Sequence, residues 1–267
     1  MTNVTTEYTG RGDPKRSLEL LWGLQEPKRR GPKPRLQVTQ VVEAAIAIAD
    51  AEGLPALSMR RVADTVGVAT MTLYSYVPGK AELLDVMLDT VTGETARPTI
   101  TSWRSGLADI ARENWQLYHR HPWILHVAAY RPPLGPNLIA KYEYELSPLE
   151  GIGLSDVEMD SVLTLVLGFV AGAARGSVEA SHTTQHTGIT DEQWWDATGP
   201  LLAQVIDDSQ FPIASRVGSA ASEQYGGPSA PEYAFEFGLE RVLDGIDAFI
   251  ASRQKPSTAT AKKRSVR

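Results

Sequence analysis

Five histidines are the first residues of this chain that could do chemistry. His119, His121 and His126 fall within YHRHPWILHVAAYRPP, and a His-x-His pair can begin a metal site. Such a site needs a third ligand, usually a carboxylate or thiolate, yet the chain has no cysteine and the nearest acid is Glu113. Pro122 also breaks any helical face that His121 would share with what precedes it. These histidines are expected at helix ends or in a pocket. His182 and His186 have i,i+4 spacing, but SHTTQHTG is polar and β-branched and reads as a loop. Gly151-x-Gly153 follows no strand and lacks a third glycine, and no GxxxxGK[ST], HExxH or Gly-x-Ser-x-Gly occurs. The acidic pairs Asp156 with Asp160 and Asp207 with Asp208 fall on exposed faces. The expectation is a binding protein: no enzyme, no catalytic residue, no cofactor and no metal.

A different constellation lies in residues 58–80, SMRRVADTVGVATMTLYSYVPGK. Ser58 is a good N-cap, because its hydroxyl can accept from free amides of a first helical turn. Met59, Val62, Ala63 and Val66 form one apolar stripe, and Gly67 ends that helix. Val68 restarts the apolar pattern, and Leu73 continues it in a second helix over 70–76. The outward positions of that helix are Thr70, Met71, Thr72, Tyr74, Ser75 and Tyr76, with no acid among them. Hydroxyls, aromatics and a methyl-rich side chain suit base edges, thymine methyls and phosphates. Glycine turns also join helical pairs that bind nothing, and Tyr and Met are ordinary core residues. The aromatic exposed side and the flanking charge favour the nucleic-acid reading.

That charge is unevenly spread. Residues 1–90 hold 11 Lys/Arg and 11 Asp/Glu, residues 91–252 hold 9 against 21, and residues 253–267 hold 6 and no acid. A net charge of −6 therefore hides a neutral head, an acidic body and a basic tail. Within the head, residues 26–35 (EPKRRGPKPR) carry Lys28, Arg29, Arg30, Lys33 and Arg35 between helix-breaking prolines. This extended arm either contacts phosphates or a minor groove, or is a solvated linker.

The elements that must position these residues are all helical. Residues 1–16 read as disordered, and 17–24 as a short helix with Leu18, Leu21 and Trp22 as its sticky side. Helices are predicted over 38–52, 58–66, 70–76 and 79–93, then over 102–119, 122–130, 136–149, 155–181, 191–206 and 231–252. Segments 182–190 and 207–230 read as loops, and no strand alternation stands out. The fold class is all-α: a flexible basic extension (1–37), a three-helix head (38–93), a larger helical body (97–252) and a disordered basic tail (253–267). No apolar signal core opens the chain, and no run reaches the roughly 18 apolar residues of a membrane span, so no membrane partner and a cytoplasmic location are expected.

Two features of the body invite function. Trp115, Trp123, His126, Tyr130, Arg131 and Tyr142 could line a pocket for a small, partly aromatic ligand, or belong to an aromatic core; nearby prolines at 122, 132, 133 and 136 favour a pocket. Gly168, Gly172 and Gly176 form one stripe on helix 155–181, each costing about 1 kcal/mol relative to Ala in a helix. A close helix–helix contact would offset this, within one chain or between subunits.

These residues identify a family. Residues 38–92 resemble the DNA-binding domain of TetR/AcrR-type transcriptional repressors, on Gly67-Val68, Thr72-Leu73-Tyr74 and Lys80 followed by Leu83-Leu84. HPWIL and AYRPPLGPN are similar to the C-terminal domain of the tetracycline repressor branch. The resemblance implies a ligand-responsive homodimeric repressor that binds double-stranded DNA at a palindromic operator and is released by a small-molecule effector. It implies that Arg60 reads a base, that residues 70–76 face the major groove, and that Tyr74 and Lys80 hold phosphates. Helices 155–181 and 231–252 would form a four-helix dimer bundle, and helix 79–93 would be the pivot. The magnesium-binding histidine of the tetracycline repressor falls on Val127, beside His126, so a metal-carrying effector is not implied. The alternative is a helical carrier or enzyme whose head binds protein.

Overall fold

The computed structural model describes residues 6–24, 36–227 and 229–254, and these are overwhelmingly helical. A two-residue strand β1 (Glu7–Tyr8) and helix α1 (Pro14–Leu21) precede a head made of α2 (Val38–Glu52), α3 (Met59–Thr65) and α4 (Thr70–Leu73). Helix α5 (Lys80–Thr92) joins head to body. The body contains α6 (Trp103–Arg120), a 3-10 turn Pro122–His126 running into β2 (Val127–Ala128), and α7 (Pro136–Leu146). It continues through α8 (Asp156–Thr187), α9 (Asp191–Val205), α10 (Pro212–Tyr225) and α11 (Pro231–Gln254).

Two apolar cores organise this chain. One is the head core, where Val41, Ala45, Val62, Ala63, Leu73 and Leu83 have no exposed surface. It does not stop at the head: Leu20 from α1 and Leu117 and Trp123 from the body belong to it. The other lies between α6, α8 and α11, around Leu107, Val166, Val170, Leu239 and Leu243. Helix α8 has 32 residues and is about 48 Å long at 1.5 Å per residue. Its segment Asp156–Thr184 is long and apolar enough to cross a membrane, with mean hydropathy 1.6, more than the run-length reading of the sequence allowed. One face of that segment is packed on α6 and α11.

Several sequence expectations are corrected. Residues 6–16 are folded: β1 pairs in parallel with β2, and Asp13 caps α1 by accepting from Lys15 N at 3.0 Å. Asp-Pro at cap and first turn was the local signal for a helix that begins three residues earlier than the apolar pattern suggests. Its buried residues are Ser17 and Leu20, while Leu18 and Trp22 are exposed. The helix expected over 122–130 is a 3-10 turn and a strand. Residues 182–187 continue α8 instead of looping, with the Thr183 and Thr187 hydroxyls donating one turn back to the Glu179 and Thr183 carbonyls at 2.8 Å. Residues 212–225 are helix α10, started by Pro212 and closed by Gly226 at φ 65.

Candidate nucleic-acid interface

The head builds its surface from the inside outward. Ser58 Oγ accepts from Arg61 N at 3.2 Å and starts α3, while Gly67, at φ +71, turns the chain so that Val68 N reaches Ala63 O at 3.0 Å. That turn needs a left-handed residue, which glycine supplies without Cβ strain. Ala63 and Leu73, both fully buried, let α4 cross closely over α3. The remaining positions point out. Met71 is 79 % exposed, and Thr72, Tyr74 and Ser75 are exposed beside it, with Thr70 half-buried. The Arg60 side chain is 87 % exposed and lies 4.0 Å from Asp64, one helical turn on.

The structure revises two members of the expected set, Tyr76 and Lys80. The α-helix ends at Leu73, and residues 74–76 continue as a hydrogen-bonded turn, Tyr76 N donating to Leu73 O at 2.9 Å. Tyr76 lies three positions after Leu73, on the same side, and packs half-buried against the head core, not outward. The Lys80 ammonium is paired with Glu7 Oε1 at 2.8 Å. Arg29, Arg30, Lys33 and Arg35 lie outside the described residues.

The six expected ligand residues are not gathered into one site. Trp123 is buried in the head core, and its Nε1 donates to Asp50 Oδ1 at 2.8 Å. Asp50 also faces His121 Nδ1 at 2.7 Å, while His121 Nε2 faces Glu94 Oε2 at 2.9 Å, so this histidine ties head to body. Tyr130 is 97 % exposed, Arg131 lies against Gly10, and Tyr142 donates to Asp160 Oδ1 at 2.8 Å. Trp115 and His126 do converge on α8. Trp115 and Tyr118 pack on Leu125, Ala174 and Val178, next to His126. Burial and the Arg175 charge hold the His126 imidazole below its ordinary pKa. Burial, with Glu145 nearby, pushes the Tyr118 hydroxyl up to about 12.

Sequence reasoning missed the polar knot beneath this region. Lys141 and Glu145 are buried and paired one helical turn apart, and Asn114 Nδ2 donates to Glu145 Oε1 at 2.7 Å. The i,i+4 spacing was visible, but such pairs usually mark a solvated face. The glycine stripe is clearer. A Cβ at Gly168, Gly172 or Gly176 would meet nothing within 4 Å, and the three line an open groove of 590 Å³ with Phe169, Ala173 and Ala234. Within the chain, the close approach between α8 and α11 is made instead at Gly238, against Phe169.

This architecture matches known proteins. Residues 41–87 match the bacterial regulatory proteins of the tetR family, and residues 97–250 match the tetracyclin repressor-like C-terminal domain. The HTH-type transcriptional repressor DrrR1 of Streptomyces coeruleorubidus is 44 % identical over 95 % of this chain and 93 % of its own length. The class E tetracycline repressor protein of Escherichia coli is 27 % identical over 80 % of this chain and 92 % of its own. The solved structure of ActR, a TetR family protein of Streptomyces coelicolor in complex with actinorhodin, superposes with a TM-score of 0.66. It is 27 % identical and covers 80 % of this chain and 97 % of that one. With a helix-turn-helix head and a separate helical body in one chain, the protein belongs to the tetR family of bacterial regulatory proteins and is a ligand-responsive transcriptional repressor, not an enzyme.

Proposed function

We propose that α3 and α4 dock in the major groove of a palindromic operator, with Arg60, Thr70, Met71, Thr72, Tyr74 and Ser75 as the contacting set. The observation that carries this is the exposure of Met71, Tyr74 and Arg60 over a fully buried Ala63 and Leu73. Large side chains held outward by a rigid packed base are suited to reading base edges. Tyr76 serves the core. Lys80 holds a phosphate once Glu7 lets it go, and Arg29, Arg30, Lys33 and Arg35 add sequence-independent attraction. A protein acting on operators works where the DNA is, in the cytoplasm.

The working unit is a homodimer built on α8 and α11. The support is the open groove beside Gly168, Gly172 and Gly176, a stripe that no segment of the same chain covers among the described residues. The effector is a small, partly aromatic molecule received in the body near Trp115 and His126. The complex of ActR with actinorhodin supports a small-molecule effector. Effector binding shifts α5 and with it the spacing of two heads, a coupling between two sites through two states of one element.

The test is binding of the chain and of two variants to the duplex upstream of its own gene. Arg60→Ala and Tyr74→Ala are expected to lose tenfold or more in affinity, about 1–3 kcal/mol for a base or phosphate contact. Circular dichroism and dimer size should stay unchanged. Wild-type affinity in both variants would contradict this assignment of the head.

A further inference from the structure

The segment ahead of the family-matched region is built across the hinge. One side of it holds α5. Ser17 Oγ donates to Asp85 Oδ2 at 2.8 Å, Gly10 N donates to Asp85 Oδ1 at 3.2 Å, and Asp13 N donates to Glu82 Oε1 at 3.1 Å. Lys80, at the start of α5, is bound by Glu7. Fit is close here: a Cβ at Gly12 would lie 2.4 Å from Glu82 Oε1. Leu20 is sunk in the head core. The other side holds the body. β1 runs beside β2 in the register Glu7 with Val127 and Tyr8 with Ala128. Thr9 Oγ1 donates to Arg131 O at 2.7 Å, and Trp22 Nε1 donates to Leu134 O at 2.8 Å.

We propose that residues 7–22 are a strap that sets the angle of the head on the body by tying α5 to the segment 127–134. No rotation of α5 against that segment leaves both sets of contacts intact. The two sets differ in strength. The α5 side combines two buried carboxylates, Asp85 and Glu82, held by strap donors, with an apolar anchor. The third buried carboxylate, Asp89, accepts directly from Asn137 and Leu138 at the start of α7 and is a second tie that a swing must also break. The body side is a two-residue strand pair and two side-chain bonds, with Tyr8 and Trp22 largely exposed. A swing of α5 therefore peels β1 from β2 first and carries α1 along with the head. The strap is a spring on the switch, and an effector has to work against it. Its regulatory meaning rests on the proposed swing of the head; its mechanical role does not.

The chain has no cysteine, so Glu43→Cys on α2 and Glu150→Cys after α7, both exposed, give one spin-label pair per chain. Labelled full-length protein, diluted with unlabelled chain, is measured by pulsed electron resonance without DNA or effector. The expected result is one narrow head-to-body distance. It should broaden and shift by several ångströms both in Glu7→Gln with Ser17→Ala and on deletion of residues 1–13, which spares Leu20. Circular dichroism confirms that each variant is folded. The same narrow distance in wild type and both strap variants would overturn the proposal, whatever the outcome of the DNA titration.

Discussion

In the proposed reading, residues that face solvent carry recognition, while buried polar residues hold the body together. Met71, Tyr74 and Arg60 are exposed on a base that cannot move, because Leu73 and Ala63 are fully buried beneath them. The Lys141–Glu145–Asn114 knot works in the opposite sense, since a buried ion pair is worth little until one partner is removed. Lys141→Met removes the ammonium from beside the buried Glu145 carboxylate and leaves it the Asn114 amide among the described residues. It should lower the unfolding free energy by about 3–5 kcal/mol in urea titration. Adding Glu145→Leu should recover most of that loss, because the uncompensated charge is then gone. A single variant as stable as wild type would mean that the pair is not buried in solution.

At the scale of elements, the glycine stripe makes a separable prediction. Gly172→Leu puts a side chain where nothing of the same chain lies within 4 Å, so the fold of one subunit has no reason to change. In a dimer closed across this groove, the same leucine meets the partner helix. Size-exclusion chromatography with light scattering should therefore show a smaller species whose circular dichroism is unaltered. A dimer of undiminished size would place the interface elsewhere.

The helices of the head were legible because their boundaries rest on local chemistry: Ser58 as cap, Gly67 as turn, and apolar stripes at helical spacing. Helix α10 and the end of α8 were not legible. Neither has a clear apolar stripe: none of the described side chains in α10 is buried, and α8 ends in Thr and His. The strap was hidden for a different reason. A two-residue strand pairs with a partner some 119 positions away, and nothing local in TTEYTG announces such a contact. The ligand set was scattered similarly: spacing placed Trp123, Tyr130 and Tyr142 in one aromatic stretch, and tertiary packing sank Trp123 in the head core and left Tyr130 and Tyr142 exposed.

At the scale of the whole molecule, α11 is clamped to α6 by charge. Arg112 donates to both oxygens of Glu236 at 3.0 and 2.7 Å, and Arg104 reaches Glu240 and Asp244. The Arg112 guanidinium holds Glu236 below the usual carboxylate range, and Arg241 with Arg104 does the same for Asp244. A carboxylate depressed in the folded state stabilises above its unfolded pKa, and that contribution is lost as pH falls through the folded value. Asp85 has the opposite sign, because burial raises it, so its contribution favours the folded state more at lower pH. Thermal melts between about pH 3 and 6 should fall towards acid, and Arg112→Ala should flatten that fall. The partly exposed Arg112–Glu236 pair contributes about 1 kcal/mol or less.

The whole architecture exists to hold a DNA-reading head on a ligand-sensing body, and that claim meets its most direct test in one titration. The chain is titrated against the duplex upstream of its own gene, and against an unrelated duplex, at two salt concentrations. The account predicts tighter binding to the upstream duplex, with log affinity falling linearly with log salt as phosphate counterions are released. Equal binding to both duplexes with no dependence on salt would contradict it.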